Sequence, residues 1–403
     1  MALLREAAGA LAAEPSAQRV RVLAHLSRAL AYRREHAAAG RCWSEAVAMA
    51  RLVGDPGALM VALSHAAWTR GSRALDEILA DLAEAGELAR TLPYDFLSDV
   101  VKGMRVALLI EAFAIDEARA ENAAIRELAE RAGQPFLAED VAQQDSLLAL
   151  CDGRLDAAEA AATRVDEIAR EIQGHPSVVY GIQMFSIRRE QGRLAEVAPA
   201  VRLVASGETD ADSVWRPALA VLLAEIGDVE AARRELRALV DADLGTIVQG
   251  GLGLGGLTYV ADACALIEDA ALAAPIYEQL LAFEGQNVVL GSAVACYGAV
   301  DRMLGALATV MRRWDEAERH LGNALVLNRR LAAPTWIAHT LYERARLACR
   351  REPPLPSGMA PEQVSEALDA ARRIGLPALV ARIERLTASL PAPAADDRRR
   401  PVQ

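Results

Sequence analysis

The glycine-rich stretch 250–256, GGLGLGG, has the residue spacing that comes nearest to a chemical motif in this sequence. Its G-x-G-x-G pattern is shared with loops that cradle a phosphate, but no strand pattern precedes it and no lysine follows it, so we expect no nucleotide site. Its five glycines fall inside a predicted helix, where they cost about 4–5 kcal/mol relative to alanine. Two explanations stay open: a close approach of two helices, or a broken helix wall that makes room for a ligand.

Nucleophiles and metal-ligating side chains are present but scattered. The sequence contains no HExxH, GxSxG or CxxC motif, and adjacent carboxylates such as Glu139 and Asp140 are typical of a solvated helix face. Its histidines and cysteines are far apart, so we expect no catalytic residue, no metal site and no cofactor. The histidines lie at 25, 36, 65, 175, 320 and 339, and the cysteines at 42, 151, 264, 296 and 349.

Charge and hydropathy argue against two classes of protein, those that bind nucleic acid and those that span a membrane. A net charge of −11 and a pI near 5.2 argue against a nucleic-acid-binding protein. The longest uncharged run, 244–261, is broken by glycines, so we expect no membrane span. Five separate cysteines without a signal-peptide pattern indicate reduced thiols and a cytoplasmic protein.

A repeated turn indicates the elements that carry these residues. Copies that begin at Gly153, Gly192 and Gly227 recur at intervals of 35 to 39 residues, and a copy at Arg312 keeps the pattern without glycine. Such periods are typical of helical-repeat proteins. We expect the glycine to end one helix in the left-handed conformation, and the next helix to begin two or three residues later.

The pattern predicts an all-α fold of about nine helical hairpins, with no alternating β pattern of useful length. First helices are expected near 18–35, 57–71, 94–113, 135–151, 177–191, 213–226, 246–266, 287–310 and 333–350. Second helices are expected near 40–52, 74–91, 116–131, 155–172, 194–206, 229–240, 270–283, 314–330 and 361–373, with a last helix at 377–388. Residues 1–16 are an N-terminal segment, 17–388 the repeat array, and 389–403 a disordered Pro/Ala/Arg tail.

One copy of the repeat indicates its type. Leu304 and Gly305 precede Ala317, and Leu321 and Ala324 follow it. This order resembles the tetratricopeptide pattern, L-G and then A-x3-F-x2-A, with leucine in the aromatic place. The wider resemblance is carried by the segments 46–59, 188–196, 287–291 and 304–325.

Over residues 15–388 the chain resembles the tetratricopeptide-like C-terminal region of actinobacterial LuxR-type regulators and related cyclase-linked ATPases. Their GxxxxGK[ST] loop and C-terminal helix-turn-helix have no counterpart in this sequence. The resemblance implies a right-handed superhelical solenoid with a sensing or docking role and no chemistry.

In tetratricopeptide-like superhelices the first helices line the concave surface. Aromatic and polar side chains gather in the predicted first helices, as they do in binding sites, and three pairs of them lie three positions apart on one helix face. We expect a ligand site centred on the seventh first helix, although core packing explains many aromatics equally well. The candidate binding residues are His65, Trp68, Lys102, Gln144, Tyr180, Gln183, Trp215, Gln249, Gly253, Tyr259, Asn287, Tyr297, Trp336 and His339.

Two functions from different classes fit these observations. The first is a non-enzymatic binding or sensor module in bacterial regulation, whose concave surface binds a partner protein, a peptide or a small effector. The second is an enzyme of natural-product biosynthesis, such as a cyclase, that uses an enclosed aromatic and polar cavity. We expect neither nucleic acid nor a membrane as a direct partner.

Overall fold

The computed structural model describes residues 2–11, 14–33, 35–69, 73–89, 91–92, 96–207, 215–249, 253–356 and 358–388 of the 403-residue chain. These residues are mostly helical, as the sequence predicts. The predicted disordered tail, 389–403, lies outside them. In the described ranges, every helix is too short or too polar to cross a membrane.

The described residues form 21 α-helices and two β-strands. The first helices in the chain are α1 (Ala2–Ala10), α2 (Ala17–Tyr32), α3 (His36–Val53), α4 (Pro56–Ser64), α5 (Leu75–Ala89), α6 (Phe96–Glu111), α7 (Ile115–Ala132), α8 (Pro135–Cys151), α9 (Leu155–Gln173), α10 (Val178–Glu190) and α11 (Ala198–Gly207). Then follow α12 (Arg216–Glu225), α13 (Val229–Asp241), α14 (Leu244–Gln249), α15 (Leu254–Ile267), α16 (Ala270–Leu281), β1 (Asn287–Leu290), β2 (Ala295–Ala299), α17 (Val300–Val310), α18 (Trp314–Arg330), α19 (Pro334–Arg350), α20 (Met359–Ile374) and α21 (Pro377–Ala388).

The predicted turns join neighbouring helices. Gly153, Gly192 and Gly227 have φ angles of 78°, 71° and 84°, in the left-handed region that glycine adopts without a Cβ clash. Arg312, the copy without glycine, adopts the same region with φ 59°. Helices on the two sides of such turns pack together, as α8 does with α9 and α17 with α18. The predicted left-handed turn is therefore confirmed at the three glycines, and Arg312 shows the same conformation without a glycine.

Gly305 lets α17 and α18 approach each other closely. A Cβ atom at this position would lie 2.5 Å from Leu321 Cγ and 3.2 Å from the backbone nitrogen of Leu321. Leu304, Ala317 and Leu321 are fully buried. The residues that resemble the tetratricopeptide pattern thus form the contact between these two helices.

The segment 287–310, predicted as one helix, is instead a β-hairpin followed by the shorter helix α17. Strands β1 and β2 pair antiparallel, with Asn287 opposite Ala299, and Gly291 in the connection has φ 55°. The prediction of one continuous helix was wrong because both strands are short and almost entirely buried. A strand buried on both faces has apolar residues throughout rather than in alternation.

Three further predicted helices are interrupted. The helix expected at 246–266 is divided into α14 and α15, with Gly253 at φ 52° before the second piece. The helix expected at 57–71 ends its α-helical part at Ser64 and continues as a 3-10 turn, His65–Thr69. At 194–206 a 3-10 turn precedes α11, where Pro199 suits a first helical turn because it has no N–H to donate.

A bulge in the hairpin changes the direction of one side chain. Val288 pairs with Gly298, but Val289 pairs with Cys296, so Tyr297 has no partner on β1. Bulges commonly re-aim a side chain in this way. Gly298 has φ 75°, and a Cβ atom there would lie 2.8 Å from side chains of α18 and α19. Glycine therefore lets β2 lie directly on these two helices.

The hairpin connects helices that are distant in sequence. Asn287 Nδ2 donates a hydrogen bond to the carbonyl oxygen of Ile110 in α6, at 2.8 Å. Gln143 Nε2 in α8 donates to the carbonyl oxygen of Ser292, at 2.6 Å. Both strands belong to the largest apolar cluster, which extends from α6 to α19.

The C-terminal helices contact the middle of the chain. Thr335 Oγ1 in α19 donates a hydrogen bond to the carbonyl oxygen of Leu150 in α8, at 2.7 Å. Helix α21 packs against α10, and a second apolar cluster joins α8, α9 and α10 with α19, α20 and α21. The chain between α8 and α21 therefore folds back on itself, with the hairpin packed against both α8 and α19.

Candidate functional site

Two of the predicted binding residues, Tyr259 in α15 and Tyr297 in β2, contact each other in the interior. Their hydroxyl groups are hydrogen-bonded, and their ring centroids lie 5.2 Å apart. Ser186 Oγ in α10 lies 3.0 Å from the Tyr297 hydroxyl oxygen. Burial raises the pKa of both tyrosines. The two side chains are therefore neutral, and their hydroxyl groups are paired within the protein.

Gln183 and Asn287, two further candidates, hold the hairpin in place. Gln183 Nε2 donates to the carbonyl oxygens of Val294, at 3.0 Å, and Gln143, at 2.8 Å. Asn287 is bonded to α6 through its Nδ2 atom. Both side chains are buried. Their amide nitrogens are hydrogen-bonded to backbone carbonyl oxygens of the protein itself.

Trp336 and His339 share one face of α19, as their spacing predicts. Their ring centroids lie 5.4 Å apart. The ring centroid of Tyr297 lies 6.0 Å from that of Trp336. His339 Nε2 lies 2.8 Å from Glu190 Oε2 in α10. Burial by itself would raise the pKa of Glu190, but His339 and nearby arginines outweigh it and lower that pKa to about 2.

A buried network of charged side chains adjoins this group and was not predicted. Arg189 Nε lies 2.8 Å from Glu225 Oε1, and its Nη1 lies 2.8 Å from Asp262 Oδ2. Arg302 also binds Asp262, at 3.1 Å, and Arg382 of α21 pairs with Glu225. Burial would raise the pKa of Asp262, but the two arginines outweigh it and hold that pKa well below its usual range. The network ties α10, α12, α15, α17 and α21 together.

The sequence contains a signal for this network. Asp262 is the one charged residue of the otherwise uncharged α15. A charge on an apolar helix is rarely buried without a partner, so its presence indicates an arginine or lysine on a neighbouring helix. Which arginine it binds depends on the packing of helices that are far apart in the chain.

The space beside Gly255 is filled by the hairpin. A Cβ atom at Gly255 would overlap the side chain of Leu290 in β1 and would lie 3.4 Å from the ring of Tyr297. At this position the missing side chain allows a close approach of β1 to α15. Gly250 and Gly251 lie outside the described residues.

The N-terminal helices carry a second group of candidates. His65 and Trp68 lie in the 3-10 turn with ring centroids 5.4 Å apart, and His25 of α2 stands edge-on to His65 at 4.9 Å. His65 Nδ1 lies 2.8 Å from the carbonyl oxygen of Val61, to which it donates, so Nε2 can accept from His25 Nδ1 at 3.3 Å. Burial, aided by the nearby charges of His25 and Arg28 and opposed by the hydrogen bond to Val61, lowers the pKa of His65 to about 4.

Arg28 completes this group and was not predicted. Its guanidinium carbon lies 5.5 Å from the centre of the Trp68 ring, within the range of a cation–π contact. Both side chains are half-buried, and Arg28 forms no ion pair with the residues that the structure describes. The three-residue spacing of His25 and Arg28 on α2 is the signal that could have identified them, since the same spacing selected His65 and Trp68.

Gln144 of α8 is buried, with its side chain next to α6. Both atoms of its amide group lack a hydrogen-bond partner, and a Cβ atom at Gly103 would lie 3.6 Å from its Nε2 atom. A buried amide without partners is a place where a water molecule or a ligand group can bind. Gln144 therefore keeps both its donor and its acceptor available, whereas in Gln183 only the Oε1 atom lacks a partner.

The remaining candidates lie near the ends of helices. Tyr180 and Trp215 are half-buried near the N-terminal ends of α10 and α12. Gly253 precedes α15, and a Cβ atom there would make only an ordinary contact, 3.7 Å from the carbonyl oxygen of Val248. The predictions at Lys102 and Gln249 fall outside the side chains that the structure describes.

One group among the described residues could hold a metal ion. Glu284, Asp301 and His320 each offer a ligand atom within 4.8 Å of the others. These three residues lie next to the hairpin and are far in the sequence from the predicted binding residues of the N-terminal helices.

The two groups of candidates differ in what they can do chemically. Around the hairpin, the polar side chains are mostly hydrogen-bonded to one another or to the backbone, which stabilises the fold. At α2 and the 3-10 turn, Arg28 and Trp68 present a cation and an aromatic ring to a common region.

The chain matches no protein-family model, and no curated protein matches its sequence.

Proposed function

We propose that the chain is a non-enzymatic binding module with a tetratricopeptide-like, right-handed superhelical arrangement of hairpins. Its ligand is an acidic peptide segment of a partner protein, which docks against α2, the 3-10 turn after α4, and α6. The observation that carries the proposal is the Arg28 guanidinium, which stands over the Trp68 ring without an ion pair among the described residues.

The arrangement of the helices supports an extended ligand. Helix α2 contacts α4, α4 contacts α6, and the 3-10 turn contacts both α2 and α6. These elements alternate along the chain with α3 and α5, which are the second helices of the predicted hairpins. Successive first helices side by side create the kind of long surface on which helical-repeat proteins bind peptides.

The chemistry of these half-buried groups supports an acidic ligand. Arginine presents several N–H donors in one plane and binds a carboxylate through two of them. The indole ring of Trp68 offers apolar area beside that cation. His65 is neutral at pH 7, because its pKa is lowered to about 4, so Arg28 is the cation that a carboxylate would meet in this group.

The resemblance to the helical-repeat region of bacterial regulators remains a prediction and favours the same class of function. The alternative of an enzyme with an enclosed cavity has less support. Leu290 fills the space beside Gly255, and the hydroxyl groups of Tyr259 and Tyr297 are bonded to each other. A substrate in this region would have to displace the hairpin.

A peptide-binding assay with charge variants tests the proposal. Peptides of equal length that carry zero, two or four Asp and Glu residues are titrated against the full chain and against the variants Arg28→Ala and Arg28→Glu. We expect acidic peptides to bind, and loss of one charge-assisted hydrogen-bonded pair to weaken binding about 10- to 100-fold. Arg41→Ala, which changes an exposed arginine of α3, is the control and should bind as the unaltered protein does.

The assay can contradict the proposal in two ways. Binding that does not increase with the number of carboxylates would exclude recognition of an acidic segment. Acidic peptides that bind the Arg28→Glu variant as tightly as the unaltered chain would exclude this site, even if the protein binds peptides elsewhere.

A further inference from the structure

We propose that Glu284, Asp301 and His320 bind a divalent transition-metal ion of the zinc type at the base of the hairpin. Their ligand atoms would be Glu284 Oε1, Asp301 Oδ1 and His320 Nδ1. The histidine nitrogen lies 3.5 Å from each of the two carboxylate oxygens. No sequence motif identifies these three residues as a metal site, because they come from three separate segments of the chain.

Two of these atoms are buried and have no hydrogen-bond partner. Asp301 and His320 are fully buried, and neither Asp301 Oδ1 nor His320 Nδ1 makes a hydrogen bond of normal geometry, although they lie 3.5 Å from each other. The second oxygen of Asp301 accepts a hydrogen bond from the Gly285 N–H at 2.8 Å, which fixes the direction of the carboxylate. A buried polar atom without a hydrogen bond costs free energy, so two of them facing each other favour the binding of a cation between them.

The hydrogen bonds of Tyr277 determine which histidine nitrogen is available. The Tyr277 hydroxyl donates its hydrogen to Glu316 Oε2 at 2.9 Å, and the Tyr277 oxygen lies 2.9 Å from His320 Nε2. Nε2 must therefore carry the hydrogen in that contact, which leaves the lone pair of Nδ1 directed at the carboxylates. Metal-ligating histidines are commonly held in this way through their other ring nitrogen.

Arg319 competes with the metal ion. Its guanidinium pairs with Glu284 and also approaches His320 Nε2 at 2.9 Å, a contact that would require the other tautomer. Tyr277 is buried, whereas the Arg319 side chain is half exposed, so we take the Tyr277 hydrogen bond as the one that sets the tautomer. Metal binding would move the arginine into solvent.

The ligand types and distances indicate the class of ion. One imidazole with two carboxylates suits zinc and its neighbours better than magnesium or calcium, which prefer oxygen ligands alone. Tetrahedral bonds of about 2.0–2.2 Å place ligand atoms about 3.3–3.6 Å apart, in agreement with the two 3.5 Å distances. Three protein ligands leave a fourth position for water.

The position of the site gives the ion a structural role. Glu284 precedes β1, Asp301 follows β2 as the second residue of α17, and His320 lies in α18. An ion bound by all three residues joins both ends of the hairpin to α18. We therefore expect the metal ion to stabilise the folded chain by mass action.

Metal titration of the full chain tests the proposal. The protein is treated with a chelator, dialysed, and titrated with Zn²⁺ and separately with Mg²⁺ by calorimetry, and the thermal unfolding midpoint is recorded with and without Zn²⁺. We expect one Zn²⁺ per chain, a rise in the midpoint, and no comparable binding of Mg²⁺. Glu284→Gln, at an exposed position that tolerates substitution, should weaken Zn²⁺ binding at least tenfold, and Arg319→Gln should tighten it.

Glu278→Gln is the matched control, because it removes an exposed carboxylate of the preceding helix, α16, that lies outside the group. Its Zn²⁺ affinity should equal that of the unaltered chain. The proposal is overturned if the unaltered chain binds no stoichiometric Zn²⁺, if Mg²⁺ binds equally well, or if Glu284→Gln leaves the affinity unchanged.

Discussion

Glu190 in α10 and His339 in α19 form a buried pair across the interior, with Glu190 Oε2 2.8 Å from His339 Nε2. The two residues are 149 positions apart in the sequence. Because α19 belongs to the C-terminal part of the chain, this pair fixes how that part folds back onto α10.

Replacement of one member of the pair should destabilise the protein strongly. His339→Ala leaves the Glu190 carboxylate buried without its hydrogen-bond donor, which typically costs about 3–5 kcal/mol. The free energy of unfolding by urea measures the loss. The control is Glu384→Ala, which breaks the exposed pair with Arg372 and should cost less than about 1 kcal/mol. Equal losses in the two variants would show that the pair at His339 is not buried.

Gly305 and Gly322 provide a test of the close contact between α17 and α18. Both glycines are helical, but a Cβ atom at Gly305 would overlap Leu321, whereas one at Gly322 would meet nothing within 4 Å. Gly305→Ala should lower the free energy of unfolding by about 1–3 kcal/mol through overpacking. Gly322→Ala should raise it by up to about 1 kcal/mol, because alanine favours the helix. A stabilising Gly305→Ala would contradict the close helix contact.

The stability of the protein should depend on pH through His65. Its pKa is lowered from 6.5 in the unfolded chain to about 4, so the unfolded state binds the proton more tightly. The contribution of neutral His65 is complete above pH 6.5 and is lost as the pH falls toward 4. We expect it to amount to about 3 kcal/mol.

Chemical unfolding at several pH values between 7 and 4 measures this effect. His65→Gln should remove part of the pH dependence, whereas His175→Gln, at an exposed position, should leave it intact. The same slope in the His65→Gln variant and the unaltered chain would refute the assignment.

The hydroxyl group of Tyr297 should contribute to stability. Tyr297→Phe keeps the ring but deprives Tyr259 and Ser186 of a buried hydrogen-bond partner, with an expected loss of about 1–3 kcal/mol. Tyr32 is 74% exposed. Tyr32→Phe should therefore alter the free energy of unfolding by less than about 0.5 kcal/mol. No difference between the two variants would mean that the buried hydroxyl groups are not bonded as the structure shows.

The helices and many of their ends could be predicted from local sequence patterns. The helix predicted at 135–151 is α8, Pro135–Cys151, and the glycines at 153, 192 and 227 adopt positive φ as expected. These features are local, since a helix forms bonds between residues four positions apart and the freedom of glycine belongs to one residue. The sequence also selected Tyr259, Tyr297 and His339, but as ligand-binding residues, whereas in the structure they bond to other buried side chains.

Tertiary structure alone decided where those residues lie. The hairpin at 287–299 has apolar strands that are indistinguishable from a buried helix in a short window, and it forms because α6, α8 and α19 provide surfaces on both sides. The partner of His339 is likewise settled by the packing of α19 against the middle of the chain. Hydrogen bonds between residues more than a hundred positions apart depend on how whole helices pack, and a local pattern carries no information about that distance.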